Sequence, residues 1–134
     1  NNKNAYWIKS TSKNKIKINR ITEGKHFLDS QDLNSNLSDR YNHNNIRFKS
    51  LKHPNPEKSK WQEWIDFLSD KSHPKDKPLA AMNINNNSIK NYRTISSSII
   101  AIPTNKNKIN KLVPIFLFSD TSPDKNNFYS INTC

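Results

Sequence analysis

The sequence predicts an α+β fold in which antiparallel strands flank a helical pair, in the order β-β-β-α-α-β-β-β. Three observations carry that reading. Apolar residues alternate with polar ones near the start of the chain. They recur at helical spacing through the middle, and gather into strand-length runs in the last third. At 134 residues the chain has the length of one domain, read here as residues 1–134.

Ala5-Tyr6-Trp7-Ile8-Lys9 reads as a strand, followed by a polar turn over Ser10–Asn14. Ile16 and Ile18 then share one face, with Lys15, Lys17 and Asn19 opposite. That alternation predicts a half-buried strand closing a hairpin. Gly24 precedes a short expected strand, His26–Ser30. Leu37, Tyr41, Phe48 and Leu51 fall on one face of a first helix capped by Ser38, although Asn42, Asn44 and Asn45 weaken it.

The strongest helical pattern spans 59–70. Ser59 with Gln62 has the capping-box form, and Trp61, Trp64, Ile65 and Leu68 make one apolar stripe. The two tryptophans read as core rather than as a ligand cage. Glu63, Asp66 and Asp70 read as a solvated face. His73–Pro78 is a linker. Strands are expected at 79–84, 92–102 and 112–119, with a turn at 85–88 and a loop at 106–110. Pro114 predicts an edge strand or a bulge.

Composition excludes several classes. No stretch approaches the ~18 consecutive apolar residues of a membrane span. The single cysteine, Cys134, can form neither an internal disulfide nor a cysteine-based zinc site. Histidines 26, 43, 53 and 73 lack metal-ligand spacing, so no metal and no cofactor is expected. One glycine leaves no phosphate-cradling loop. Ser96-Ser97-Ser98 has no local base, and alternation sets Ser97 on the opposite face from its neighbours. No catalytic or ligand-binding residue can be assigned from the pattern. No secretory-signal pattern is visible within these residues. The first residue is Asn1 rather than Met, the start expected of a processed chain or of a portion of a longer one.

The net charge is +11, with a mean hydropathy of −0.97. The excess lies in the flanks. Residues 1–21 hold six bases and no acid, and 81–119 hold five bases and no acid. Lysine dominates, 18 against 4 arginines, beside 22 asparagines and 15 isoleucines, as in an AT-biased coding sequence. Phosphate-binding patches usually carry arginine and interleaved rings. Nucleic acid is therefore not the expected partner, and Lys13, Lys15, Lys17, Lys106, Lys108 and Lys111 read as solvated turns. A small basic module for nucleic acid or an anionic surface is the rival they support.

From Glu23 onward a longer pattern emerges. Glu23-Gly24, Asp32-x-Asn34, Ser38-x-Arg40, Arg47-Phe48, Pro54-x-Pro56-Glu57 and Trp61-x-x-Trp64 with Leu68 and Asp70 follow in order. Ala80-Ala81-Met82 and Thr94-Ile95-Ser96-Ser97-Ser98-Ile99-Ile100-Ala101-Ile102-Pro103 come after them. Together they resemble the C-terminal half of NRDE-family proteins, bacterial relatives of the transport and Golgi organisation protein 2 family. The resemblance covers residues 23–103.

It implies part of an αββα sandwich like that of N-terminal-nucleophile hydrolases. It further implies a cytoplasmic protein and an amide-type hydrolase whose nucleophile, a Cys beside the initiator Met, lies upstream. The family's Asn-Arg-Asp-Glu motif is likewise absent from these residues. The expected partner is then the upstream N-terminal half of the same protein. Arg40, Ser96 and Ser98 match patterned positions without a known catalytic duty. Asn91-Tyr92-Arg93 stands where relatives usually carry glycine, and Ser35 where they commonly carry Asp. A non-catalytic handler of haem or lipid is a further alternative, although the sequence offers no persuasive axial haem ligand.

Overall fold

The computed structural model describes residues 4–10, 15–85, 92–103 and 113–132. They form an α+β molecule with two helices and two separate antiparallel sheets, in the order β-β-α-α-β-β-β. Among the described residues no helix is long and apolar enough to cross a membrane.

Strands β1 (Ala5–Ser10) and β2 (Ile16–Ile21) pair antiparallel, with Ile8 opposite Ile18 and Lys9 opposite Lys17. Their expected turn, 11–14, lies outside the described residues. The register sets Tyr6, Ile8, Ile16 and Ile18 on one face. That face is not half-buried as alternation predicts: these four side chains are 55–68% exposed. The opposite face is the better covered one. There Lys9 lies over the Trp7 ring and pairs with Asp32 in the following loop.

His26–Ser30 is loop rather than strand. Asn34, in the left-handed conformation at φ 55°, takes over the Phe27 backbone. Its side-chain oxygen accepts from Phe27 N–H at 2.8 Å, and its own N–H donates to the Phe27 carbonyl at 2.8 Å. With both of its backbone groups bonded there, Phe27 joins no strand ladder.

Helix α1 spans Asp39–Ser50. Ser38 caps it as the sequence predicts, its hydroxyl accepting from Tyr41 N–H at 2.9 Å and donating to Asp29. Asp39 in the first turn and Arg47 and Lys49 in the last suit the helix dipole. The Lys25 ammonium takes the carbonyls of Lys49 and Leu51 at the far end. Asn44 is 2% exposed, and its amide donates to both the Arg40 and Ala80 carbonyls at 2.9 Å. A poor helix former on propensity thus serves as the joint between α1 and the 78–80 segment. Leu37, expected on the buried face, is exposed.

Helix α2 is shorter than expected, Gln62–Leu68. The capping box does not form, because Ser59 adopts the left-handed conformation and ends a 3-10 turn over Pro56–Lys58. Trp61 occupies the cap without a side-chain bond, and Gln62 bonds Asp66 instead. Phe67, outside the expected stripe, is the most buried residue of α2. Asp70 is not a free surface charge. It pairs with Arg47 and accepts from Ser72 N–H and hydroxyl at 2.9 Å.

The expected strand 79–84 is absent. Pro78–Ala80 make a 3-10 turn whose Leu79 and Ala80 carbonyls accept from Arg40 and Asn44 of α1. Asn83 N–H donates to the Asp70 carbonyl. Helix side chains have taken the groups a ladder would need.

Strand β3 is Ser97–Ala101 and β4 is Ile115–Ser119, each shorter than expected. A two-residue β5, Tyr129–Ser130, was not foreseen; it makes β4 the central strand rather than an edge. Pro114 sits just before the first paired residue, so no ladder donor is lost. The 106–110 loop and most of the 85–88 turn lie outside the described residues.

The buried apolar core comprises Phe27, Phe48, Leu51, Trp61, Ile65, Phe67, Ala80, Ala81 and Ile84. Every one belongs to a helix or a loop; neither sheet contributes. Phe48 sits centrally, with ring centroids 5.5 Å from Phe27, 5.8 Å from Phe67 and 6.1 Å from Trp64.

Phe48→Ala should therefore lower unfolding stability by about 3–5 kcal/mol, read by urea denaturation. Ser38→Ala should cost about 1 kcal/mol through the lost cap. Ile100→Ser, on an uncovered sheet face, should leave the midpoint nearly unchanged.

Candidate functional site

The residues singled out in the sequence do not assemble into one site. Arg40 donates through Nε and Nη2 to the Leu79 carbonyl at 3.3 and 3.1 Å, a structural bond. Ser98 is exposed on β3, and Ser96 precedes that strand. Ser97 points to the opposite face, across from Ser119. None of the three hydroxyls hydrogen-bonds a histidine or a carboxylate. Of the six lysines on the rival basic surface, only Lys15 and Lys17 are described, and both are exposed. Among the described residues no three His, Cys, Asp or Glu side chains group to hold a metal ion.

Three of the four histidines have hydrogen-bond partners. His26 Nε2 lies 2.9 Å from the Thr22 carbonyl, and its Nδ1 lies 3.0 Å from the Asn34 amide nitrogen. A proton on Nε2 satisfies both contacts. His43 meets Ser72, and His73 the Pro74 carbonyl.

A polar cluster that local pattern does not reveal lies instead around Asn83, which is 0% exposed. Its amide donates to Asp124 Oδ1 at 2.9 Å, and its oxygen accepts from the Ser122 hydroxyl at 3.1 Å. Ser122 also meets Asp124 Oδ1, while Lys71 holds Oδ2. The 3-10 turn Pro123–Lys125, with Pro123 buried, is thereby pinned against α2. Beside it Thr94 closes on Ile84 through two bonds: Thr94 N–H to the Ile84 carbonyl at 2.8 Å, and Ile84 N–H to Thr94 Oγ1 at 2.9 Å.

A pocket of about 360 Å³ opens here. Thr94, Thr121, Ser122, Arg93 and Lys125 line it, close to the start of β3. Its chemistry is that of binding rather than cleavage. The Lys71 ammonium and the Ser122 hydroxyl, with the Asn83 amide, hold Asp124 far below the usual carboxylate range, against the opposing effect of partial burial. So weak a base cannot take a proton from Ser122. The pocket offers hydroxyl donors, the cations of Arg93 and Lys125 and the carboxylates of Asp120 and Asp124, and no histidine among the described residues lines it.

Asp70 is also shifted. Burial raises its pKa, but the Ser72 bonds and the Arg47 charge outweigh that and leave it lowered overall. Both carboxylates are thus more acidic folded than unfolded. Their stabilisation is complete above the unfolded value, near 3.8, and is lost as pH falls toward the folded values. Stability measured by urea titration should be flat from pH 7 to about 5 for these groups and then decline steadily toward pH 2. Asp124→Asn should flatten part of that decline. Asn83→Ala should lower stability by about 1–3 kcal/mol, since buried partners lose their bonds.

No protein-family model matches the chain, and no curated protein or solved structure matches it either. The fold and the cluster therefore stand on the chain's own geometry.

Proposed function

We propose that this chain is the C-terminal portion of an NRDE-family protein, a cytoplasmic amide-type hydrolase with an N-terminal-nucleophile-like sandwich. In this reading the upstream portion of the same polypeptide lays strands across the sheets and supplies the nucleophile. The present residues contribute scaffold and binding groups.

One observation carries the proposal: the hairpin presents an uncovered apolar face, and the three-stranded sheet one that is covered only in part, with Phe116 and Phe118 half-buried. On the hairpin the residues are Tyr6, Ile8, Ile16 and Ile18. On the three-stranded sheet Ile100 lies opposite Phe116, and Phe118 opposite Tyr129, all on one face. Ile100 and Ile102 are 60% and 64% exposed. A two-stranded hairpin is marginal in water, and contiguous apolar faces of this kind mark surfaces that something else covers. A sandwich would cover both. The lack of an activated nucleophile among the described residues accords with a reactive group made elsewhere.

The test has two parts. The chain alone should enhance the fluorescence of the apolar dye ANS, and a polypeptide that also carries the upstream NRDE portion should not. That longer protein should hydrolyse a member of a panel of amides and thioesters, and replacing its N-terminal Cys by Ala should abolish turnover. Equal dye binding by both proteins would remove the assembly. Activity that survives the Cys replacement would remove the hydrolase mechanism.

A further inference from the structure

A second pocket, of about 520 Å³, lies between the loop after α1 and the start of α2. It is lined by no strand residue, so it stands independently of the sheet-covering proposal. Pro54, Trp61, Trp64 and Ile65 give it an apolar wall, and Lys52, His53 and Lys60 also line it. The volume falls within the ~300–1,000 Å³ of small-molecule sites.

Its two indoles differ. Trp64 Nε1–H donates to the Lys52 carbonyl at 2.8 Å and is spent. Trp61 is 7% exposed, yet its Nε1–H meets no acceptor among the described residues. Buried indole N–H groups ordinarily find one. No fully buried side-chain nitrogen or oxygen among the described residues lacks a partner. The Trp61 donor therefore keeps contact with solvent, and Trp61 is one of the residues that line this pocket.

The charges lining the pocket have a sign. Glu63, its one carboxylate, is engaged twice by Lys52: by the backbone N–H at 3.0 Å and by the ammonium at 3.7 Å. Among the described residues Lys60 has no ion-pair partner and the His53 ring makes no hydrogen bond. The pocket thus joins an apolar wall, the unspent Trp61 donor and an excess of positive charge, with Asn55, Ser59 and Gln62 at its polar side.

The geometry points to a binding site for a small amphiphilic carboxylate. Its chain or ring lies against Pro54, Trp61 and Ile65, and its carboxylate accepts from Trp61 Nε1–H beside Lys60. An anion is favoured because a charged acceptor bonds an N–H about twice as strongly as a neutral one. An apolar body is favoured because Pro54, Trp61 and Ile65 offer carbon surface for it to lie against.

The experiment uses the chain labelled with ¹⁵N and titrated with decanoate below its micellar concentration, with decanol as the uncharged control. The indole N–H signals of Trp7, Trp61 and Trp64 are followed together. Decanoate should move the Trp61 signal saturably and Trp64 little, and decanol should bind at least severalfold more weakly. Trp61→Phe keeps a ring and removes the donor; it should weaken decanoate about tenfold. Lys60→Gln, at an exposed position, should weaken decanoate and leave decanol unchanged. The site is overturned if Trp61 does not respond. It is also overturned if both probes act equally, or if the response appears only on residues of the two sheets.

Discussion

The ring packing around Phe48 is the constraint from which the rest of the molecule hangs. One face of α1 ends on this side chain, which meets Phe27 from the preceding loop and Trp64 and Phe67 from α2. Aromatic pairs at these separations contribute beyond their buried area. More to the point, they bring together segments that no backbone ladder joins. Polar bonds then fix the register of what the rings gather. Asn34 shapes the loop that presents Phe27, Asn44 ties α1 to the 78–80 turn, and Arg47 closes on Asp70 while lying 5.6 Å over the Phe67 ring.

This arrangement accounts for what the patterned residues do. Ser38 caps, Asn34 takes both backbone groups of Phe27, Arg40 binds a carbonyl, and Arg47 and Asp70 clasp two helix ends. Each role is architectural and concerns the same centre. The residues most suggestive of chemistry by type, the three serines of 96–98, lie on or beside an uncovered sheet and engage no base. Asn83, Ser122 and Asp124, beside one pocket, carry no local motif, and Trp61, lining the other, reads from its pattern as core.

The division between core and sheets is the second consequence. Among the described residues the fully buried apolar side chains lie in helices and loops; the hairpin and Ile100 expose theirs, while Ile115–Phe118 of β4 are half-buried. Neither sheet places a side chain in the ring cluster around Phe48. Part of the first basic flank lies on the hairpin, which carries Lys15, Lys17 and Arg20.

Local information sufficed wherever a short stretch of chain decides the outcome. The β1–β2 hairpin, the Ser38 cap, the helical span to Ser50 and the alternation of Ser96 to Ser98 all follow from neighbours in sequence, because period and capping act over a few residues. It failed wherever a distant group competes for the same backbone. Strand 79–84 gave way because Arg40 and Asn44 claim its carbonyls, strand 26–30 because Asn34 claims Phe27, and the Ser59 box because a 3-10 turn used that serine as its end. The Asn83 cluster joins residues 41 positions apart, and the unspent Trp61 donor is defined by what fails to reach it. Hydrogen-bond competition of this kind is settled in space, after the rings have packed, and no periodicity along the chain records it.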